Sequence, residues 1–365
     1  MQLSKRLPFS TWEYWRVVLT LAAKDTMEAF KNKTTLTMIL GLVMMMATVE
    51  AMPLLLKLDD RPRLAIYDGA RTSLADELRQ QGNVQVLEMR TEADVLATAR
   101  EASGPLAAVI LPSDWADNSG PLPIEGYFGH WLSRQTQVAL VAQVEDVLTA
   151  VTQRQVTIQP QTVYPSLENG GHSLMVALGL VLVILLITSI VVPYLILDEK
   201  TAHTLELLRV SPASMNQILL GKGLAGVLFG LMAAAVLLSF NLALVNLWGL
   251  MLLAVLSTVV IGVGMGLLVG TLVESEGSVQ LWVSLLAVFL MFPLLLVFAQ
   301  NNPLPEWLQQ VAAWLPSTAA FELMRLSFGN DGSLALVGPR ITAVLVSVGL
   351  VFAIAAWRLH NWEAK

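Results

Sequence analysis

The side chains able to do chemistry crowd into one stretch, Asp198 to Lys222 (DEKTAHTLELLRVSPASMNQILLGK), where Glu199, Lys200, His203, Glu206, Arg209 and Lys222 lie between two long apolar runs. They do not compose a reaction centre. The chain has no cysteine, so thiol chemistry and disulfides are excluded, and its four histidines (130, 172, 203, 360) show no metal-ligand spacing. Gly221-Lys222 ends like a phosphate loop, but Gly223 follows it and the upstream glycine of G-x-x-x-x-G-K-[ST] is missing. No catalytic residue, no metal site and no bound cofactor are therefore expected. What the stretch can do is bind and transmit. Thr201 to Val210 can form a short helix with Ala202, Leu205 and Leu208 in one broad face and Glu206 and Arg209 on the other. Ser211-Pro212 then reads as a cap with proline in the first turn of a second helix, which runs through Ile218 and Leu219 into the next apolar run. A short charged helix joined rigidly to a membrane span transmits a push; a solvated connector is the alternative.

Elsewhere, ionisable and polar residues in apolar surroundings are few. Glu50 sits about one turn before the end of the first apolar run and Asn241 in the third. Each is a candidate for a substrate path, against an interfacial Glu and an interhelical hydrogen bond respectively. Gly262, Gly266 and Gly270 repeat every four residues, as do Gly226 and Gly230, a spacing that lets helix backbones approach closely, within one chain or at a dimer seam. Pro193 and Pro293 are expected to kink their helices.

These residues are positioned by an α-helical integral membrane protein. The mean hydropathy is +0.64 and 14% of residues are charged, where soluble domains carry roughly a quarter. Residues 1–33 predict an interfacial helix, with Trp12, Trp15, Val18, Leu19, Ala22 and Met27 opposed to Arg16, Lys24, Lys31 and Lys33. Residues 34–56 form the first span, and its late start is unlike a cleavable signal peptide. Residues 57–172 hold fifteen acids against nine bases, the whole of the formal net charge of −6. Short apolar runs there alternate with helical patterns, which predicts a compact α/β domain. Residues 173–357 carry five more spans, at 174–197, 224–246, 250–272, 279–299 and 337–357, with two interfacial helices in 303–328; residues 358–365 are a tail. Lys and Arg in short flanks number eleven on the side of both termini and the 198–222 stretch, against Arg325 and Arg340 opposite. The positive-inside rule places both termini and that stretch in the cytosol, and the α/β domain outside.

The run from Leu197 to Lys222 resembles the signature of ABC-2 type transporter permeases: an acidic-basic pair (Glu199-Lys200), a Thr-Leu-Glu core (Thr204-Leu205-Glu206), Ser211-Pro212, and Leu219-Leu220-Gly221-Lys222. Lys200 replaces a common Arg, and Ala202-His203 a common acidic-Gly pair. Leu304-Pro305-Glu306-Trp307-Leu308, Leu315-Pro316 and Glu322-Leu323-Met324-Arg325 look like the outer helices before the last span of that family. The external domain is similar in outline through Leu64 to Asp68 and Ala108 to Pro112, and one span, a large external domain and five further spans match the branch that exports drugs, lipids or sodium. The resemblance implies a permease pair, homo- or heterodimeric, in the plasma membrane of a prokaryote, driven by separate cytosolic ABC ATPase subunits that hold the ATP and Mg. It implies that Glu199, Lys200, Thr204, Leu205, Glu206, Leu208 and Arg209 couple to that ATPase. No nucleic-acid partner is expected. An autonomous secondary transporter or channel, or a membrane-anchored assembly or sensor protein, are the competing readings; the first calls for several buried ionisable residues and repeated spans.

Overall fold

A computed structural model describes residues 11–31, 33, 36, 37, 40, 41, 44, 48, 61–117, 120–167, 171–201, 214–273, 275–298 and 305–363. The first expected span with Glu50, and residues 202–213 with Thr204, Leu205, Glu206, Leu208 and Arg209, lie outside the described residues, a few helical positions of that span apart.

The chain begins with α1 (Thr11–Lys31) and then builds an α/β unit: β1 (Arg63–Asp68), α2 (Leu74–Gln81), β2 (Gln85–Glu88), α3 (Glu92–Arg100), β3 (Leu106–Leu111), β4 (Leu122–Gly129), α4 (Arg134–Thr152) and β5 (Val156–Val163). The sheet order is β2-β1-β3-β4-β5, with β1 parallel to β2 and β3, β4 antiparallel to β3, and β5 parallel to β4. Strand side chains alternate between two faces. Leu64, Ile66 and Val109 bury under α2 and α4, whereas Ala65 and Ala108 bury against Val95 and Ala99 of α3. The strand β5 escapes the sequence pattern because VTIQPQTV alternates weakly and contains Pro160, which only an edge strand tolerates.

The remaining helices are α5 (His172–Thr201), α6 (Met215–Phe240), α7 (Trp248–Leu272), α8 (Glu276–Phe298), α9 (Glu306–Ala313), α10 (Pro316–Phe328) and α11 (Leu334–Glu363). Four of them hold segments long and apolar enough to cross a membrane: His172–Thr201, Asn216–Phe240, Trp248–Leu272 and Leu334–Ala355; the apolar part of α8, Gly277–Phe292, is shorter. At 1.5 Å per residue, α5 alone is roughly 45 Å long, more than the ~30 Å hydrocarbon core. It is the centre of the bundle, with most of its side chains from Ser173 to Glu199 buried. The outer helices turn large apolar side chains outward, among them Leu281, Leu285 and Phe289 of α8 and Leu345 and Leu350 of α11.

Two expectations need correction. The third span ends at Phe240 rather than Asn246, because Asn241 takes the C-cap and one 3-10 turn, Leu242–Leu244, folds the chain back. The expected pair of interfacial helices splits: α9 exposes Trp307 and Val311, but α10 buries nearly all its side chains, which a helix lying on a surface does not do.

The turn after α6 seats the sheet unit on one end of the bundle. His130 Nε2 lies 3.0 Å from the Leu244 carbonyl oxygen, Arg325 Nη2 donates to the Ser166 carbonyl at 2.9 Å, and Ser173 Oγ donates to Glu101 Oε2 at 2.8 Å.

Candidate functional site

The opposite end of α5 carries the other polar assembly. Helix α1 buries Val18, Ala22, Asp25 and Ala29, a stripe at helical spacing that includes one acid, and leaves Trp12, Trp15 and Leu19 exposed. This stripe lies along α6. A Cβ on Gly221 would stand 2.8 Å from Leu21 Cβ and 3.3 Å from the Val18 carbonyl oxygen, so the glycine of Gly221-Lys222 is where the two helices close up. The lysine beside it is 1% exposed. Its Nζ lies 3.0 Å from Glu199 Oε2 and 3.3 Å from Asp25 Oδ2, and donates to the Leu195 carbonyl at 2.8 Å. Two hydrogen bonds, to Asp25 and the Leu195 carbonyl, and the charge of Glu199 together make so deep a cation tolerable. Lys24 Nζ approaches Glu199 Oε1 from the rim at 3.5 Å.

Burial pushes the Asp25 carboxyl above its ordinary range, against the pull of Lys222. Burial also works to lower the Lys24 ammonium, but the carboxylates of Glu199, Glu28 and Asp25 outweigh it and the net shift is upward.

Lys200, the neighbour of Glu199, points to a different helix. Its Nζ donates to the carbonyls of Gly270 at 2.9 Å and Val273 at 2.7 Å, capping the C-terminal end of α7, where unpaired carbonyls and the helix dipole favour a cation. Adjacent residues on α5 therefore tie it to α1 and α6 on one side and to α7 on the other. Glu199, expected as a contact for a partner, is buried within this chain beside Lys222.

The far end of the same stretch is fixed as firmly. Ser214 caps α6: its hydroxyl accepts from the Gln217 N–H and the Gln217 side chain accepts from the Ser214 N–H, a capping box, whereas the expected cap at Ser211 lies outside the described residues. The S-x-x-Q spacing was there to find it. Asp25 had a signal too, as the lone acid on the apolar stripe of α1. The residues that flank 202–213 are thus anchored on both sides, Glu199 and Lys200 before it and Ser214, Gln217 and Lys222 after it.

Asn241 and the repeated glycines do not join this site. Asn241 is buried at the C-cap of α6, its amide 3.4 Å from the Leu237 carbonyl. Gly262, Gly266 and Gly270 pack against Thr188, Val192 and Ile196 of α5 in the same chain, and Gly226 and Gly230 approach Val192 and Thr188 from α6. Among the described residues, no group of acidic and histidine side chains could hold a metal ion.

A family model described as ABC-2 family transporter protein matches residues 33–358. No curated protein matches the chain.

Proposed function

The chain belongs to the ABC-2 family of transporter proteins, and from that premise we propose that it is the permease subunit of an ATP-driven exporter, worked by a separate cytosolic ATPase that grips residues 202–210. The observation that carries this reading is the anchoring of both ends of that segment. A push on it passes through Glu199 and Lys200 into α5, α7 and α1, and through Ser214 and Lys222 into α6. A hand that receives force needs such roots; a solvated connector does not.

The sidedness has a physical support independent of counting charges. Ser173 bonds to the sheet unit and Glu199 to the ion cluster, and the 26 residue steps of α5 from one to the other rise roughly 39 Å at 1.5 Å each. A helix that crosses the bilayer over this length puts the two assemblies on opposite sides, so a cytosolic 198–222 segment makes the α/β unit extracytoplasmic. We read residues 34–56 and α8 as the two further spans, giving six and both termini inside, and a pair of such chains as the working permease of a prokaryotic plasma membrane. The scarcity of charged residues along the spans suits a small or amphipathic cargo.

The test is purification of the complex. An ATPase subunit is expected to co-elute with the intact chain and to be lost when residues 202–210 are scrambled with Glu199 and Lys200 kept, the permease itself remaining in the membrane. Within that segment Glu206→Arg is expected to abolish transport-coupled ATP hydrolysis. Undiminished coupled hydrolysis in the reconstituted Glu206→Arg complex would sink the assignment.

A further inference from the structure

The α/β unit carries a cleft of about 670 Å³ that the transport reading leaves unused, outside the carboxyl ends of parallel strands β1 and β2. Its size falls within the roughly 300–1,000 Å³ of small-molecule sites, and it adjoins the carboxyl end of β1, beside the β1/β3 point where the strand order reverses and open α/β sheets bind ligands.

Three arginines line it, Arg71, Arg79 and Arg90, with two acids, Asp68 and Glu88. The acids are already engaged. Asp68 accepts from the Ala70 N–H at 3.0 Å, the Thr72 N–H and Thr72 hydroxyl at 2.6 Å each, and Trp115 Nε1 at 2.8 Å. Glu88 takes Arg79 Nη2 at 3.0 Å. Among the described residues, Arg71 and Arg90 have no carboxylate partner, so the cleft presents two uncompensated guanidinium groups.

The loop that offers Arg71 is built rather than incidental. Arg71 has φ +54°, a left-handed conformation that is uncommon outside glycine and that persists where surrounding structure over-determines it, often at ligand clamps. Here the four bonds to Asp68 fix it, and Gly69 wedges the loop against β3: a Cβ there would meet the Leu111 carbonyl oxygen at 2.7 Å. The backbone that presents Arg71 is thus set before any ligand arrives, while its exposed side chain is ordered on binding.

The cleft also faces away from the bundle. The sheet meets the bundle through His130, just past the end of β4, which pairs near the start of β3. Asp68 lies at the other end of β1, five residues of rise or roughly 17 Å away. A lipid headgroup in the bilayer does not reach that edge; a solute does.

The geometry points to a binding site, at the carboxyl edge of β1 and β2, for a small water-soluble molecule bearing a carboxylate or phosphate group, clamped by Arg71 and Arg90. Such a ligand pairs with the arginine forks through charge-assisted hydrogen bonds. The full-length protein in neutral detergent, in phosphate-free buffer, is to be titrated calorimetrically with citrate, inorganic phosphate and L-glutamate, with glycerol and L-arginine as controls. Saturable binding of at least one anion and of neither control is expected. Arg71→Gly keeps the loop, because glycine adopts positive φ freely, and is expected to raise that Kd at least tenfold; Arg90→Gln, on the other wall, is expected to do the same. If no anion saturates below about 10 mM, or if both variants bind as the unaltered protein does, the proposal fails.

Discussion

Replacing Lys222 with Met is expected to lower the stability of the purified protein by about 3–5 kcal/mol, the usual consequence of removing one partner from a buried ion cluster. The variant leaves Asp25 and Glu199 facing each other inside the bundle with only Lys24, at the rim, to compensate. Thermal unfolding in detergent measures it, and the effect is expected to be strongly asymmetric. Asp25→Asn keeps the one-to-one pair of Lys222 with Glu199 and is expected to shift stability by less than about 1 kcal/mol. The pH dependence has a definite sign. Burial holds the Asp25 carboxyl above its unfolded value even beside Lys222, so its contribution to stability is present when it is protonated and is lost as pH rises through the folded value. Without Lys222 the carboxyl moves further up. The deficit of Lys222→Met is therefore expected to shrink on acidification from pH 8 to 5, and a deficit that stays constant over that range would remove the carboxylates from the explanation.

This cluster also marks where local sequence patterns stop being informative. Strands such as Arg63–Asp68 and Leu106–Leu111 and the long apolar helices follow from periodicity, because burial of one face or of all faces is written into successive residues. The third span overran because the apolar run continues past Asn241, while the chain turns there to reach His130 and Ser327. Asp25 and Lys222 are 197 residues apart, and nothing local to either says that they meet. Glu199 and Lys200 looked like a displayed pair because charge at a membrane edge is ordinarily solvated. The packing instead turns them inward to opposite neighbours, and a one-residue step of about 100° around a helix is what lets them do so.

The glycine stripe of α7 yields the second large effect. A Cβ on Gly266 would sit 2.9 Å from the Thr188 carbonyl oxygen and 2.9 Å from Val192 Cβ, both on α5. A carbonyl in the central helix cannot swing aside, so Gly266→Ala forces the two helices apart, and a loss of about 3 kcal/mol is expected, at the upper end for overpacking. The better helix propensity of Ala offsets under about 1 kcal/mol of this. Gly270 differs in one respect that makes the argument testable. There the nearest atom is Ile196 Cδ1 at 2.4 Å, the end of a flexible side chain, with Cβ and Cγ1 at 3.2 and 3.3 Å. Ile196→Val removes that terminal carbon and is expected to restore most of the stability lost in Gly270→Ala, whereas Val192→Ala is not expected to rescue Gly266→Ala, since the backbone oxygen remains. The pair of double variants separates the two uses of small residues at four-residue spacing. A seam between two permease subunits predicts a change of oligomeric state, read by light scattering in detergent, with unfolding unaltered and no rescue from α5. Packing within the chain predicts early unfolding, an unchanged oligomer and rescue confined to Gly270, and it is α5, through Thr188, Val192 and Ile196, that these glycines hold in place between the sheet unit and the ion cluster.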